Sequence, residues 1–161
     1  MKTPSMSKVE MTELVLPHHT NGLGTIFGGV ILSWVDIAAS ICASRHCGRV
    51  AVTASFDTMN FLAPIHLGDV VTIRAKLNYV GGSSCEVGVD VRSENLKNQS
   101  SRHTGSAFVT MVSLGSDSKP ISMPPLTLET DLERETFAAA ELRRKHRLEA
   151  RKAFKARGDQ Q

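Results

Sequence analysis

Asp36 stands inside an apolar run, with Val35 before it and Ile37 after it. A carboxylate in such company costs on the order of several kcal/mol unless it is hydrogen-bonded or reaches water. Two uses fit it. It is a structural aspartate bonded to backbone or to a facing serine, or it is a proton acceptor or nucleophile in a reaction. A glycine-rich loop precedes it: Asn21-Gly22-Leu23-Gly24-Thr25-Ile26-Phe27-Gly28-Gly29. Glycines let a chain turn sharply and let a ligand approach the backbone. Free N–H groups in the first turn of a following helix make a partly positive site. Such donors could hold a developing oxyanion, although an ordinary glycine-rich turn reads the same way. Together a carboxylate and oxyanion donors suit attack on a carbonyl. The loop lacks the Gly-x-x-x-x-Gly-Lys-Ser/Thr pattern, which argues against nucleotide hydrolysis. Ser33 and Ser40 read as packing residues rather than nucleophiles.

These groups need a scaffold. Val9 to Leu16 suggests a short strand, followed by a turn-rich loop and a helix over Ile26 to His46. Apolar residues point nearly all round that helix, so it must be buried on most sides. Four strands follow. Ala51 to Phe61 is the first. Val71, Ile73, Ala75, Leu77 and Tyr79 alternate with polar residues in the second, and Cys85, Val87, Val89 and Val91 do so in the third. Period two implies one buried and one solvated face. Thr104 to Leu114 is the fourth. The short connections around Pro64, Gly68-Asp69 and Gly81-Gly82 favour antiparallel pairing. The fold class is α+β, an antiparallel sheet wrapped around one central hydrophobic helix.

Residues 1–13 read as a flexible lead-in, 14–115 as the folded unit, and 116–128 as a linker in which Pro124 and Pro125 forbid a helix. Residues 129–161 form a basic helical extension, expected to be mostly solvated and frayed. The formal charge of +3 is the sum of +4 in residues 133–161 and −1 before them. The tail mixes its cations with Glu141 and Glu149, and aromatics are only 5% of the chain, which argues against a nucleic-acid partner. The three cysteines, Cys42, Cys47 and Cys85, form no Cys-x-x-Cys pair. They read as free buried thiols in a reducing compartment rather than as a disulfide framework or metal site. No secretory signal is visible, and Asp36 argues against a membrane span. The expected location is cytoplasmic.

The motifs Asn21-x-x-Gly24-x-Ile26-Phe27-Gly28-Gly29, Trp34-Val35-Asp36, Val52-Thr53-Ala54-Ser55, Asn60-Phe61, Pro64-Ile65, Gly68-Asp69-Val70 and Gly81-x-Ser83-Ser84 resemble, in order, the hot-dog acyl-CoA thioesterases. The match is to the bacterial short acyl-CoA hydrolases and the animal cytosolic acyl-CoA hydrolases, over about residues 9–115. The resemblance implies a hot-dog fold and hydrolysis of acyl-CoA to free acid and coenzyme A. It implies no cofactor, because coenzyme A belongs to substrate and product. It implies a homodimer with active sites shared between subunits, typically assembled into hexamers. Asn21 and Asp36 carry the chemistry in such a site, from opposite subunits. Phe27, Gly28 and Gly29 line the carbonyl seat. Bacterial members often have an acidic residue where this chain has His19, whereas animal relatives can carry histidine; His18 and His19 could tune the site or simply be solvated. For the coenzyme A phosphates, location and sign suggest amides around Gly81, Ser83 and Ser84, with Arg92 or Arg102. The alternative is a non-catalytic acyl-CoA-binding or sensing protein on the same fold. A hydratase would need a histidine on the helix, and Ile26 to Ser44 holds none.

Overall fold

The periods resolve into five strands and two long helices in the structure, a computed structural model that describes residues 2–158. Strands β1 (Val9–Leu14), β2 (Ala51–Phe61), β3 (Asp69–Gly81), β4 (Ser84–Asn95) and β5 (Ser100–Ser113) form one antiparallel sheet in the order β1-β3-β4-β5-β2. Helix α1 (Gly28–Cys47) lies in its concave face and α2 (Asp131–Gly158) crosses the other side. This is the hot-dog arrangement implied by the motifs.

Alternation fixes which face looks inward. Val71, Ile73, Ala75 and Leu77 of β3 are buried, as are Val87, Val89 and Val91 of β4 and Ala107, Val109 and Met111 of β5. Register aligns them in rows, Ile73 beside Val91 and Val89 beside Ala107. Against these rows α1 presents Ile31, Val35, Ala38, Ala39, Cys42 and Ala43. The small alanines let the sheet approach closely, and each fully buried Val or Ile contributes about 1.5–3 kcal/mol. Gly48, at φ +70°, ends α1 by donating its N–H to the Ser44 carbonyl, 2.8 Å away.

The two ends of the sheet matter for the site. Phe61 pairs with Gly105 near the start of α1, and Ala51 pairs with Ser113 near its end. β2 is an edge strand, bent by irregularities at Thr53/Ser55 and Phe56/Thr58. Along that side α1 leaves Ser33, Ile37 and Ile41 exposed. The expectation of a helix buried on most sides therefore holds except for one stripe.

One expectation needs correction. The lead-in is not loose: it contains a 3-10 turn at Pro4–Ser7 and β1 up to Glu13, with Pro4 and Ser7 buried. Lys2 donates through Nζ to the carbonyls of Arg45 (3.1 Å) and His46 (2.6 Å), tying the start of the chain to the end of α1. Helix α2 is mostly exposed, as expected, but a few residues anchor it to the sheet. Thr130 and Glu133 form a reciprocal cap at its start: Glu133 N donates to Thr130 Oγ1 (3.1 Å), and Thr130 N donates to Glu133 Oε2 (3.4 Å). Ala140 is fully buried, and Phe137 packs on Tyr79 at 4.7 Å. Arg143 donates to both oxygens of Glu86 (3.0 and 2.6 Å), with its guanidinium 3.9 Å above the Phe108 ring. Arg147 meets Asp57 at 2.5 Å, and Asp57 also accepts from Ser55 and Thr110. The outer sheet face expected to be solvated is thus covered in part, and Glu86 is 2% exposed.

A buried carboxylate left without its partner costs more than the pair contributes. Arg143→Met is accordingly expected to lower unfolding free energy by about 3 kcal/mol, while Glu86→Gln with Arg143→Met recovers most of that loss; urea denaturation of the two variants measures both.

His46 supplies a pH test. Its Nε2 lies 2.7 Å from the Pro124 carbonyl and must donate to it, while Nδ1 is buried without a partner. Burial holds its pKa below the ordinary histidine value, outweighing the carbonyl contact; Lys2 also lowers it. The unfolded chain therefore binds a proton near pH 6.5 that the folded chain refuses. Stability falls as pH drops through that window towards the folded pKa. Urea midpoints of wild type and His46→Gln should converge between about pH 7.5 and about pH 5.5; a constant gap would mean His46 does not titrate differently on folding.

Candidate active site

The loop before α1 is held by its own backbone and by one asparagine. His19 accepts the Leu16 N–H on Nδ1 (3.1 Å), and its carbonyl accepts the Phe27 N–H (2.9 Å). The His19 ring stands edge-on to Trp34 at 5.1 Å, with the exposed His18 ring beside it at 4.1 Å. His19 is therefore a packed member of the loop rather than a solvated one. Asn21 Oδ1 accepts N–H groups from Leu23 (2.9 Å) and Thr25 (3.3 Å), and Nδ2 donates to Thr25 Oγ1 (2.9 Å). An amide has two Nδ2 hydrogens, so this leaves one to offer a ligand. Gly24 turns the loop at φ +74°, a conformation that side chains disfavour. Ile26 N–H then donates to the Ile65 carbonyl (2.8 Å), which docks the loop on the β2–β3 connection.

That bond explains why α1 starts at Gly28 rather than Ile26. Residues 25 and 26 are spent on bridges to His66 and Thr20. The N-cap of α1 is Phe27, which makes no side-chain cap. The first-turn N–H groups of Gly28 and Gly29 have no intrahelical acceptor and no capping oxygen, so they remain available for an anion. Phe27 is exposed beside them.

Asp36 follows about 12 Å along the axis, eight residues at 1.5 Å each. It is half-buried, and its Oδ1 accepts a hydrogen bond from the Thr53 hydroxyl on β2. Thr53 Oγ1 also lies 3.5 Å from Met111 Sδ. The facing partner is thus a threonine, and it occupies one carboxylate oxygen. Asp36 is not among the sealed, unpartnered polar groups of the described residues. It looks towards the open β2 edge, where Val50, Val52, Ile37 and Ile41 are exposed. A carboxylate fixed on one oxygen and reachable on the other can accept a proton from water.

The structure does not bring all the expected residues together within one chain. Asn21, Phe27, Gly28 and Gly29 form one continuous segment, but no hydrogen bond links Asn21 to Asp36 among the described residues. Gly81, Ser83 and Ser84 form the β3–β4 turn, with Gly82 at φ +68°. That turn lies by the last residues of β5, where Ser113 N–H donates to the Ser83 carbonyl, and so at the far end of α1 from Gly28. Arg92 and Arg102 lie near the opposite sheet end, on β4 and β5. A thiol nucleophile is disfavoured as well. Burial pushes the Cys42 thiol up to about 12, and burial raises Cys85 too, with the neighbouring cysteines adding to the shift.

Thr53 is the site residue that had no role in the sequence reading. Its signal is present in Val52-Thr53-Ala54-Ser55, but nothing local shows that this threonine meets a helix residue seventeen positions earlier.

With this geometry in hand, the comparisons with known proteins are consistent. Residues 23–98 match the family model described as the thioesterase superfamily. The uncharacterized acyl-CoA thioester hydrolase YkhA of Bacillus subtilis is 41% identical over 138 residues, covering 83% of this chain and 80% of that protein. A crystal structure of an apo-hexameric acyl-CoA thioesterase superposes with a TM-score of 0.88 at 34% identity, over 92% of this chain and 95% of that one. An acyl-CoA hydrolase of Staphylococcus aureus, solved with butyryl coenzyme A and coenzyme A, gives a TM-score of 0.85 at 34% identity, over 99% and 94%.

Proposed function

The chain belongs to the thioesterase superfamily, and from that premise we propose that it is an acyl-CoA thioesterase whose active sites form between two copies. The observation that carries the proposal is Asp36: a carboxylate fixed by Thr53 and open towards an unpaired sheet edge, on the helix whose uncapped first turn can hold an oxyanion. The Staphylococcus aureus hydrolase supports it. Variants of that protein solved with alanine in place of an asparagine, an aspartate and a threonine have these residues fifteen and then seventeen positions apart. Asn21, Asp36 and Thr53 have the same spacing.

In this reading two copies pair through their β2 edges, covering Val50, Val52, Ile37 and Ile41. Pairing brings the partner's Asn21 towards Asp36, which no single chain does. The thioester oxygen accepts from the free Nδ2–H of the partner's Asn21 and from the N–H of the partner's Gly28 or Gly29, because Gly28 on the helix of Asp36 itself lies about 12 Å away. Asp36 takes a proton from water as the oxygen attacks the carbonyl carbon. The tetrahedral oxyanion collapses, the C–S bond breaks, and the coenzyme A sulfur leaves with the proton returned from Asp36. Attack by Asp36 itself, giving an anhydride that water then opens, is the other route the geometry permits. Thr53 is a positioning residue that holds the carboxylate. The Gly81–Ser84 turn, remote in one chain, comes to the site from a second copy, with Arg92 and Arg102 as candidates for the phosphates. Three such dimers make the hexamer that the related apo enzyme shows. The protein works in the cytoplasm.

Release of free thiol from a panel of acyl-CoAs tests the reaction; tight acyl-CoA binding with no release would identify a sensor instead. Asp36→Ala is expected to lower kcat about 10²–10⁴-fold with the fold intact, and full activity in that variant would remove Asp36 from the mechanism. Mixing inactive Asn21→Ala and Asp36→Ala proteins should restore about a quarter of the native sites if dimers form at random. No recovery in mixed dimers verified by mass would end the shared-site model. Thr53→Val is expected to reduce kcat about tenfold with little change in KM, the worth of one charge-assisted hydrogen bond.

A further inference from the structure

Gly28 is set apart by a close neighbour rather than by its backbone. Gly24, Gly48, Gly68 and Gly82 all have positive φ, whereas Gly28 does not. A Cβ there would lie 3.2 Å from Cζ of Phe61, and nothing comparable surrounds its neighbour Gly29. The tip of the Phe61 ring therefore rests on the first turn of α1, where the carbonyl seat is placed. The ring is 57% exposed, and unlike Phe56 and Met59 of the same strand it is not packed on the core.

Beside this contact runs a groove of about 460 Å³, bounded by Gly28, Ile26, Phe61, Leu62, Pro64 and Ile65. Thr25 supplies the only polar side chain of its lining. The other lining side chains are apolar or glycine, and burying the methylenes of an acyl chain against them is favourable.

We propose that this groove seats the acyl chain of the substrate and that Phe61, resting on Gly28, sets the chain length accepted. The inference rests on the thioesterase reading. The carbonyl lies at the first turn of α1, and the chain runs away from it along the apolar walls. The ring limits the space that begins at Gly28. Removing the ring lengthens the seat, and enlarging it shortens the seat.

The test is kcat/KM against saturated acyl-CoAs of increasing length for wild type, Phe61→Ala and Phe61→Trp. Phe61→Ala should move the optimum to longer chains, with about a fourfold gain for each methylene newly buried. Phe61→Trp should move it to shorter ones. Both variants should keep the wild-type unfolding midpoint within a few degrees; Phe61→Leu replaces the alanine variant if that one fails to fold. Rates scaled by one factor at every length, in folded protein, overturn the assignment, because a merely structural role acts that way. Hydrolysis of none of the panel by wild type overturns the enzymatic reading and this inference with it, a result distinct from an unchanged length profile.

Discussion

A five-stranded sheet cannot close around a twenty-residue helix, and the side it leaves open governs the rest of this structure. The apolar surface of α1 binds the helix to the inner rows of β3, β4 and β5. It does not end where the sheet ends. Ile37 and Ile41 remain uncovered next to an edge strand with unpaired backbone groups, a combination that soluble proteins seldom leave bare. The single carboxylate of the helix sits on the boundary between the covered and uncovered sides. There it can keep one oxygen on Thr53 and the other near water. Placed one residue earlier, at Val35, it would be sealed in the core; placed one later, at Ile37, it would be a surface charge.

The opposite side of the sheet is solved differently. Its outer residues are polar, so a covering helix has to bring counter-charges rather than apolar bulk. Arg143 and Arg147 do this, each joining a carboxylate that also accepts side-chain hydrogen bonds. Full satisfaction of the acceptors makes such burial tolerable. Ala140 and the ring of Phe137 pack on the sheet between these anchors, while Thr136, Ala139 and Arg143 border a cavity of about 710 Å³ against β3, β4 and β5. The basic excess of the tail is thereby partly consumed within the chain.

The sequence made the sheet legible because its signal is local. Strand β2 begins and ends where Ala51 and Phe61 predict, and the alternation in β3 and β4 names the buried residues one by one. Boundaries moved where tertiary bonds compete with local preference, as at Ile26, whose N–H goes to Ile65. Docking of α2 was not legible. The pairing of Glu86 with Arg143 joins residues 57 apart, and an exposed glutamate on a strand reads the same as a covered one. Helix α2 begins at Asp131 rather than at 129, because Thr130-Asp-Leu-Glu133, a signal the sequence reading missed, forms a capping box. The oddity of Asp36 was visible from its neighbours, whereas its threonine partner required the helix and strand to be brought together.

The sealing of the three cysteines has a practical consequence. Cys42, Cys47 and Cys85 are free and at most 5% exposed, on facing surfaces of α1 and the sheet. An alkylating reagent can reach them only when the helix lifts from the strands. The rate at which the native protein consumes such a reagent is therefore a built-in gauge of core opening, obtained without label or engineering.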